Sequence, residues 1–195
     1  METIKLDLQV KRKASALDGV KAASKLLAKD ADKYKASCRD ASVCTELIAG
    51  IQKDLEPLSN GVKESIDYFQ GSEQERKAID DAYAAQDKAI EKLTSMEEQM
   101  VPTGYKTPVP SDYADLPQLE GRAKVEMVFK KNGGKVFDVN GVNFPEARMV
   151  MVIDGYAAPV TGGNFVDLVQ KGCYTNMEIQ RSDGFVVQTG EPKGD

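Results

Sequence analysis

The chain has 195 residues, of which 41% are hydrophobic and 29% are charged, and this composition is typical of an ordinary globular protein and not of a disordered or fibrous one. Its formal charge of −5, without a basic stripe that has interleaved aromatic residues, argues against nucleic acid as a partner. No apolar run approaches the roughly 20 residues needed to cross a bilayer, so we expect no membrane-spanning segment.

The first half of the chain has the pattern of a helical bundle. Residues 3–100 contain little proline or glycine, and their apolar residues recur at helical spacing. Three stripes follow one another: Val10, Leu17, Val20, Leu27, Ala31 and Tyr34; then Cys44, Ile48, Ile51, Leu55, Leu58, Val62, Ile66 and Phe69; then Ile79, Tyr83, Ile90, Leu93 and Met100. Three helices with one apolar stripe each are expected to pack as an antiparallel bundle, or against a helix from a partner.

Local signals set the expected helix boundaries. Asp40 or Ser42 can cap the second helix, and Ser72 with Glu75 three residues later has the pattern of a capping box. Pro57 interrupts the second stripe and cannot donate a helical hydrogen bond, so we expect it to kink or split that helix.

The absence of histidine limits the chemistry that the chain can perform. Histidine is the commonest general base near neutral pH and the commonest metal ligand. Cys38 and Cys44 lack the close spacing of a zinc knuckle, so we expect no metal and no cofactor. We interpret these two residues as buried thiols; a disulfide at a helical corner in an oxidising compartment is the alternative.

The second half of the chain is predicted to contain strands. Residues 101–119 include Pro102, Pro108, Pro110 and Pro117 and are predicted to form an extended, semi-rigid linker. Strands are then predicted at 123–129, 136–139, 149–153 and 185–188, with a helix at 159–171. The continuous apolar run at 149–153 suits a strand that is buried on both faces.

Two motifs in this half resemble a known family. The run from Ile153 to Tyr174 is similar to a cyclophilin segment in which Ala-Pro, Thr, Asn-Phe-x-x-Leu and a Gly before an aromatic residue follow a strand. The matching residues are Ala158, Pro159, Thr161, Asn164, Phe165, Leu168, Gly172 and Tyr174. The stretch GFVVQTGEP, Gly184 to Pro192, resembles the cyclophilin Gly-Phe-x-x-Gln-x-Gly-Asp-Pro stretch. The last third of the chain therefore resembles the front half of a cyclophilin, the prolyl isomerase family.

The finer resemblance is to the two-domain cyclophilins of the plant and algal thylakoid lumen. The stretches LPQLEGRAKVEM and MEIQRSDGFVVQTG are similar to that subgroup, in which a helical bundle precedes the cyclophilin part. The resemblance implies an α+β chain with an antiparallel helical bundle at 1–100, a linker at 101–119 and an incomplete cyclophilin-like antiparallel β-barrel with one helix at 120–195. It also implies a location in the chloroplast thylakoid lumen.

The resemblance implies a function as well. The first hypothesis is an immunophilin that binds proline-containing segments and assists the folding, assembly or stabilisation of photosynthetic membrane complexes through their lumenal parts. The alternatives are an active peptidyl-prolyl cis-trans isomerase when full length, and a structural subunit that docks through its helical bundle.

Three site residues follow from the same resemblance. Arg181 would hydrogen bond to the prolyl region, Phe185 would pack against the proline ring, and Gln188 would contact the peptide backbone. The sequence departs from the family at this point: Ile179, Gln180 and Arg181 stand where Phe-His-Arg is usual, and one residue fewer precedes the Gly-Phe pair. The later pocket residues of the family have no counterpart, so we expect the sequence to be a piece of a longer protein.

Overall fold

In a computed structural model of the chain, residues 1–139, 141–183 and 186–190 are described. The chain divides into two compact units, Met1–Tyr105 and Lys106–Asp195. The first unit is helical, and the second contains antiparallel strands with one α-helix, so the predicted α+β class is confirmed. Within the described ranges the strands form separate two-stranded sheets and do not close a barrel, as expected of a partial domain.

The first unit consists of five helices. They are α1 (Glu2–Gln9), α2 (Lys13–Lys29), α3 (Ala31–Ser37), α4 (Ala41–Asp67) and α5 (Glu73–Met100). The long helix α4 is central, because α2, α3 and α5 all pack against it, while α1 packs against α2. Apolar side chains of α1, α2, α4 and α5 share one core. None of the helices within the described part of the chain is both long enough and apolar enough to span a membrane.

The first predicted stripe is not one helix: it begins at Val10, the C-cap of α1, and continues through α2 and α3. The chain turns between α1 and α2 at Lys11, whose φ of 62° lies in the left-handed region. The Arg12 backbone N–H donates to the Asp7 carbonyl oxygen (2.7 Å), and the Arg12 guanidinium pairs with the Asp7 carboxylate. Val10 is 59% exposed and does not join the stripe. Leu17, Ala31 and Tyr34 are only partly buried against the core.

Pro57 does not split α4, contrary to one of the two predicted outcomes. The residue lies on the exposed side of the helix, between buried Leu55 and Leu58, so burial of the opposite face continues across it. Near its end the predicted stripe leaves the core: Ile66 is 45% exposed and Phe69 is 87% exposed.

The buried face of α5 consists mainly of alanines and differs from the predicted stripe. Its buried apolar residues are Ala78, Ala82, Ala85, Ala89 and Met96, whereas Ile79, Tyr83, Ile90 and Leu93 are half-buried. Gly61 of α4 lies opposite this face. A Cβ at this position would lie 2.8 Å from the Ala78 carbonyl oxygen and 3.0 Å from the Ala82 Cβ. Small residues on both helices therefore allow α4 and α5 to approach closely.

The predicted helix caps are present. The Asp40 carboxylate accepts hydrogen bonds from the backbone N–H groups of Ser42 (2.8 Å) and Val43 (3.3 Å) at the start of α4. The hydrogen bond that the Ser42 hydroxyl donates to the same carboxylate (2.9 Å), and then these two backbone bonds, lower the pKa of Asp40. The Ser72 hydroxyl accepts from the Glu75 N–H (3.1 Å) at the start of α5, but the Glu75 carboxylate binds the Gly71 N–H and not the N–H of the capping serine.

Cys38 and Cys44 are joined in a disulfide, which corrects our interpretation of them as buried thiols. Cys38 caps the end of α3, and Cys44 lies in α4 just after its first turn. The corner brings their Cα atoms to 6.5 Å, a separation that a disulfide can span.

The second unit contains short antiparallel strand pairs. The strands are β1 (Arg122–Phe129), β2 (Phe137–Val139), β3 (Val142–Phe144), β4 (Ala147–Asp154), β5 (Arg181–Ser182) and β6 (Val187–Gln188), with α6 (Pro159–Gln170) between β4 and β5. The pairs are β1 with β4, β2 with β3 and β5 with β6. In the longest pair Arg122 stands opposite Asp154 and Phe129 opposite Ala147. The sequence had not indicated β3 and β5 as separate strands.

The prediction that residues 149–153 are buried on both faces is wrong. Ile153 lies on the face of β4 that packs towards α6, because a Cβ at Gly162 would lie 3.1 Å from its Cγ2 atom. The opposite face is exposed, with Val150 61% and Val152 46% accessible. Burial of both faces would require a second layer over β4, which the described residues do not supply.

Residues 106–119 of the proline-rich segment belong to the second unit and are mostly exposed, with hydrogen bonds to the rest of the unit at Thr107 and Leu119. The Leu119 N–H donates to the Pro159 carbonyl oxygen (2.9 Å), and the Thr107 hydroxyl donates to the Tyr156 carbonyl oxygen (2.9 Å). A Cβ at Gly163 would lie 2.3 Å from the Pro117 carbonyl oxygen, so a glycine is required where this segment crosses α6.

Candidate functional site

Two of the three predicted site residues face each other in a small hairpin. Its strands β5 and β6 pair Arg181 with Gln188 and Ser182 with Val187. The Gln180 N–H donates to the Gln188 carbonyl oxygen (2.9 Å), which extends the ladder by one bond. The hairpin therefore places the arginine and the glutamine on adjacent strands at the same level.

The third predicted residue, Phe185, lies outside the described residues. In sequence it falls between β5 and β6. Its expected role against a proline ring stays a prediction.

Asp183 binds Arg181, and sequence reasoning missed this contact. The Arg181 Nε and one terminal nitrogen donate to Asp183 Oδ2 at 2.7 and 2.6 Å. The side chains of Arg181 and Asp183 are 57% and 42% exposed, so water screens the pair. The other carboxylate oxygen of Asp183 accepts from the Val186 N–H (2.7 Å), and the Asp183 N–H donates to the Val186 carbonyl oxygen (3.0 Å).

The signal for this contact was present in the sequence. A Ser-Asp-Gly run between two short strands is typical of a turn in which the Asp side chain caps the backbone two or three residues later. Such an aspartate lies within reach of a side chain on the preceding strand.

The hairpin has the donors that recognition of a peptide requires. A guanidinium carries five N–H donors in a planar fork, and an amide side chain both donates and accepts. Arg181 and Gln188 can therefore address a peptide carbonyl and its neighbouring N–H from adjacent strands. The Asp183 carboxylate competes for part of the guanidinium, so a peptide carbonyl must share or displace that contact.

The first motif supports the architecture and supplies no residue to the hairpin. Pro159 occupies the first turn of α6, where its missing N–H costs nothing. The Phe165 and Tyr174 rings pack with centroids 5.3 Å apart, and Gly172 ends the helix with a φ of 74°. Within the ranges that the structure describes, no group of three or more acidic, cysteine or histidine residues is arranged to hold a metal ion.

A comparison with known families matches residues 137–195 to the family described as cyclophilin type peptidyl-prolyl cis-trans isomerase. The matched range contains β2 to β6, α6 and all three predicted site residues. The family resemblance deduced from the two motifs is therefore confirmed for this part of the chain.

Similar proteins come from chloroplasts and a cyanobacterium. The chloroplast peptidyl-prolyl cis-trans isomerase CYP38 of Arabidopsis thaliana is 40% identical over 153 residues, which are 76% of this chain and 33% of that protein. A Synechocystis protein, provisionally named a thylakoid lumen peptidyl-prolyl cis-trans isomerase, is 33% identical over 159 residues, 76% of this chain and 36% of its own length. The chain thus spans about a third of these relatives. Their names agree with the predicted thylakoid-lumen location.

Proposed function

We propose that the chain, whose residues 137–195 match the cyclophilin-type prolyl isomerase family, is part of a thylakoid-lumen immunophilin that binds proline-containing protein segments through its β5–β6 hairpin. The observation that carries this proposal is the pairing of Arg181 with Gln188 on adjacent strands. By resemblance, Arg181 and Gln188 would take positions at which cyclophilins contact their peptide, with one residue fewer than in the family between Arg181 and the Gly-Phe pair.

The hairpin fits this task because isomerisation of an Xaa-Pro bond requires no titrating group. Rotation about an Xaa-Pro bond has a barrier of about 20 kcal/mol, which arises from the partial double bond of the amide. A fixed cation that hydrogen bonds to the prolyl region stabilises the twisted amide electrostatically. Arg181 would supply this cation, and Gln188 would hold the peptide backbone beside it.

Binding is tested by titrating a short Xaa-Pro peptide into the isotope-labelled natural protein and its Arg181→Ala variant by NMR. A hydrogen bond to a charged group is worth about 1.5–3 kcal/mol, so we expect affinity to fall roughly 10-fold or more. Arg148→Ala is the matched control, since Arg148 is a similarly exposed, ion-paired arginine on β4. Equal affinity for all three proteins would contradict the proposed role of Arg181.

The same samples separate binding from catalysis. Magnetisation exchange between the cis and trans peptide signals reports turnover directly. If the natural protein accelerates this exchange and the Arg181→Ala variant does not, the protein is an isomerase. Binding without acceleration would establish a proline-binding module whose arginine, held by Asp183, does not reach the amide.

We also propose that the helical bundle docks to lumenal parts of photosynthetic membrane complexes. The observation that favours this second role is an exposed apolar cluster, Ile66, Tyr68 and Phe69, at the corner between α4 and α5. Phe69 is 87% exposed, and an exposed apolar patch is typical of an interaction site.

Phe69→Ser tests this docking role. Burying a phenylalanine stabilises an interface by about 1.5–3 kcal/mol, so co-sedimentation with isolated thylakoid membranes should weaken roughly 10-fold. Leu26→Ser, at a 54% exposed position on α2, is the control and should leave co-sedimentation unchanged. If Phe69→Ser sediments like the parent while both variants keep their helical circular dichroism, the cluster has no docking role.

A further inference from the structure

The disulfide between Cys38 and Cys44 closes the corner between α3 and α4 and has two unequal ends. Cys44 is completely buried in the core, whereas Cys38 is half-buried at its edge. A thiolate from solution would therefore reach the bond at Cys38 and release Cys44 as the leaving group.

Apart from this bond, α3 is held weakly. The helix runs only from Ala31 to Ser37, and none of its residues is buried. Ala31 and Tyr34 are its partly buried contacts with the core. An isolated helix of this length is not stable in water, so its order depends on these contacts and on the disulfide that anchors its end.

The residue that follows Cys38 holds the end of another helix. The Arg39 N–H donates to the Gln99 carbonyl oxygen (2.8 Å), and the Arg39 guanidinium donates to the Glu98 carbonyl oxygen (2.9 Å). These carbonyls belong to the last turn of α5, where intrahelical donors run out; the Glu98 carbonyl oxygen also accepts from the Val101 N–H at the C-cap (3.3 Å). The disulfide-closed loop thus also holds the end of α5.

We propose that Cys38–Cys44 is a thiol–disulfide exchange site whose reactant is a dithiol, and that its reduction releases α3 and the last turn of α5. One thiolate of the dithiol attacks the Cys38 sulfur and forms a mixed disulfide, and Cys44 leaves as a thiolate that takes up a proton. The second thiol then displaces Cys38. Two electrons and two protons pass to the pair, and the dithiol becomes a disulfide.

Reduction is expected to loosen the corner without unfolding the bundle. A buried Cys44 thiol packs as a small apolar side chain, so the core between α2, α4 and α5 keeps its contacts. Only the segments that depend on the closed loop, residues 31–39 and 98–101, lose their anchor. The site therefore switches a local part of the bundle and not its overall fold.

Hydrogen exchange of the full chain, with and without dithiothreitol as the dithiol, tests the proposal. All samples carry Cys173→Ser, because Cys173 is exposed and would form mixed disulfides of its own. We expect exchange in residues 31–39 and 98–101 to rise roughly 10-fold or more, while residues 48–62 in the centre of α4 keep their protection. Cys38→Ala with Cys44→Ala should reproduce this pattern without dithiothreitol.

Three results would overturn the proposal. Resistance of the disulfide to dithiothreitol in the absence of denaturant would show that no exchange takes place in the folded protein. Unchanged protection at 31–39 and 98–101 after reduction would show that the bond does not hold these segments. A uniform rise across α2, α4 and α5 would show that the bond stabilises the whole bundle and controls no local release.

Discussion

A buried charge cluster connects three helices of the bundle. The Lys13 ammonium at the start of α2 donates to the Glu75 carboxylate of α5 and to the Ser65 carbonyl oxygen of α4, and the carboxylate also accepts from the Gly71 N–H. The side chains of Lys13 and Glu75 are only 15% and 6% exposed. The hydrogen bond from Lys13, and then that from Gly71, lowers the pKa of Glu75 below its usual 4.5.

Glu75→Gln should therefore destabilise the bundle in a pH-dependent way. A carboxyl group whose pKa is lowered by folding stabilises the folded state above its unfolded pKa, and this contribution is lost as pH falls through the folded pKa. The difference in urea midpoint between the parent and Glu75→Gln should be largest near neutral pH and should shrink below about pH 4.5.

Glu73→Gln is the matched control, because Glu73 lies exposed in the same helical turn. It should change the midpoint little at any pH. A deficit for Glu75→Gln that stays constant from neutral to acidic pH would show that the ion pair is not its cause.

At the scale of elements, close packing of α4 on α5 depends on the lack of a side chain at Gly61. A Cβ there would meet backbone atoms of α5, which cannot move without shifting the helix. Gly50 lies on the same helix, but a Cβ at this position would meet only side-chain methylene groups of Lys92 and no backbone.

Alanine at these two glycines should therefore have different effects on stability. Gly61→Ala is expected to lower the free energy of unfolding by about 1–3 kcal/mol through overpacking. Gly50→Ala should raise it, or leave it unchanged, because alanine favours a helix interior by about 1 kcal/mol over glycine. Urea unfolding followed by circular dichroism measures both. Equal losses in the two variants would show that helix–helix distance does not explain the requirement at Gly61.

The helical elements were predictable where an apolar stripe coincided with the packed face. Leu55, Leu58 and Val62 are buried as their spacing predicted. The stripe of large apolar residues did not predict the buried face of α5. Ala82 and Ala89 are buried there, but such small residues do not stand out in a hydrophobic pattern. The stripe also failed at Lys11, because nothing in the sequence marks a left-handed turn at a lysine.

The candidate site was predictable only through the family motif. Periodicity does not distinguish Arg181 and Gln188 from other polar residues of a short hairpin. The resemblance to the family makes both candidates, and the register places them opposite each other. Asp183 was missed because a turn aspartate that binds a neighbouring side chain leaves no trace in the hydrophobic pattern. Phe185 stays a prediction, as it falls outside the described residues.

At the scale of the whole molecule, each compact unit contains a glycine at which an added Cβ would collide with backbone atoms of the same unit. Gly61 serves the helical unit, and Gly163 serves the second unit by allowing residues 117–118 to cross α6. Thr107 and Leu119 add hydrogen bonds within the second unit. If the two units fold separately, a substitution that destabilises one unit should leave the stability of the other unit unchanged.

Gly61→Ala and Gly163→Ala, one substitution in each unit, test whether the two units unfold independently. Hydrogen exchange should accelerate only in residues 1–105 for Gly61→Ala and only in residues 106–183 for Gly163→Ala, because each added methyl group meets backbone of its own unit. Gly162→Ala is a milder control, since its Cβ would meet only the side chains of Ile153 and Leu119, the nearest at 3.1 Å. Acceleration in both units by either variant would mean that the bundle and the cyclophilin-type part unfold as one cooperative body. Function assigned to the hairpin could then not be separated from the bundle.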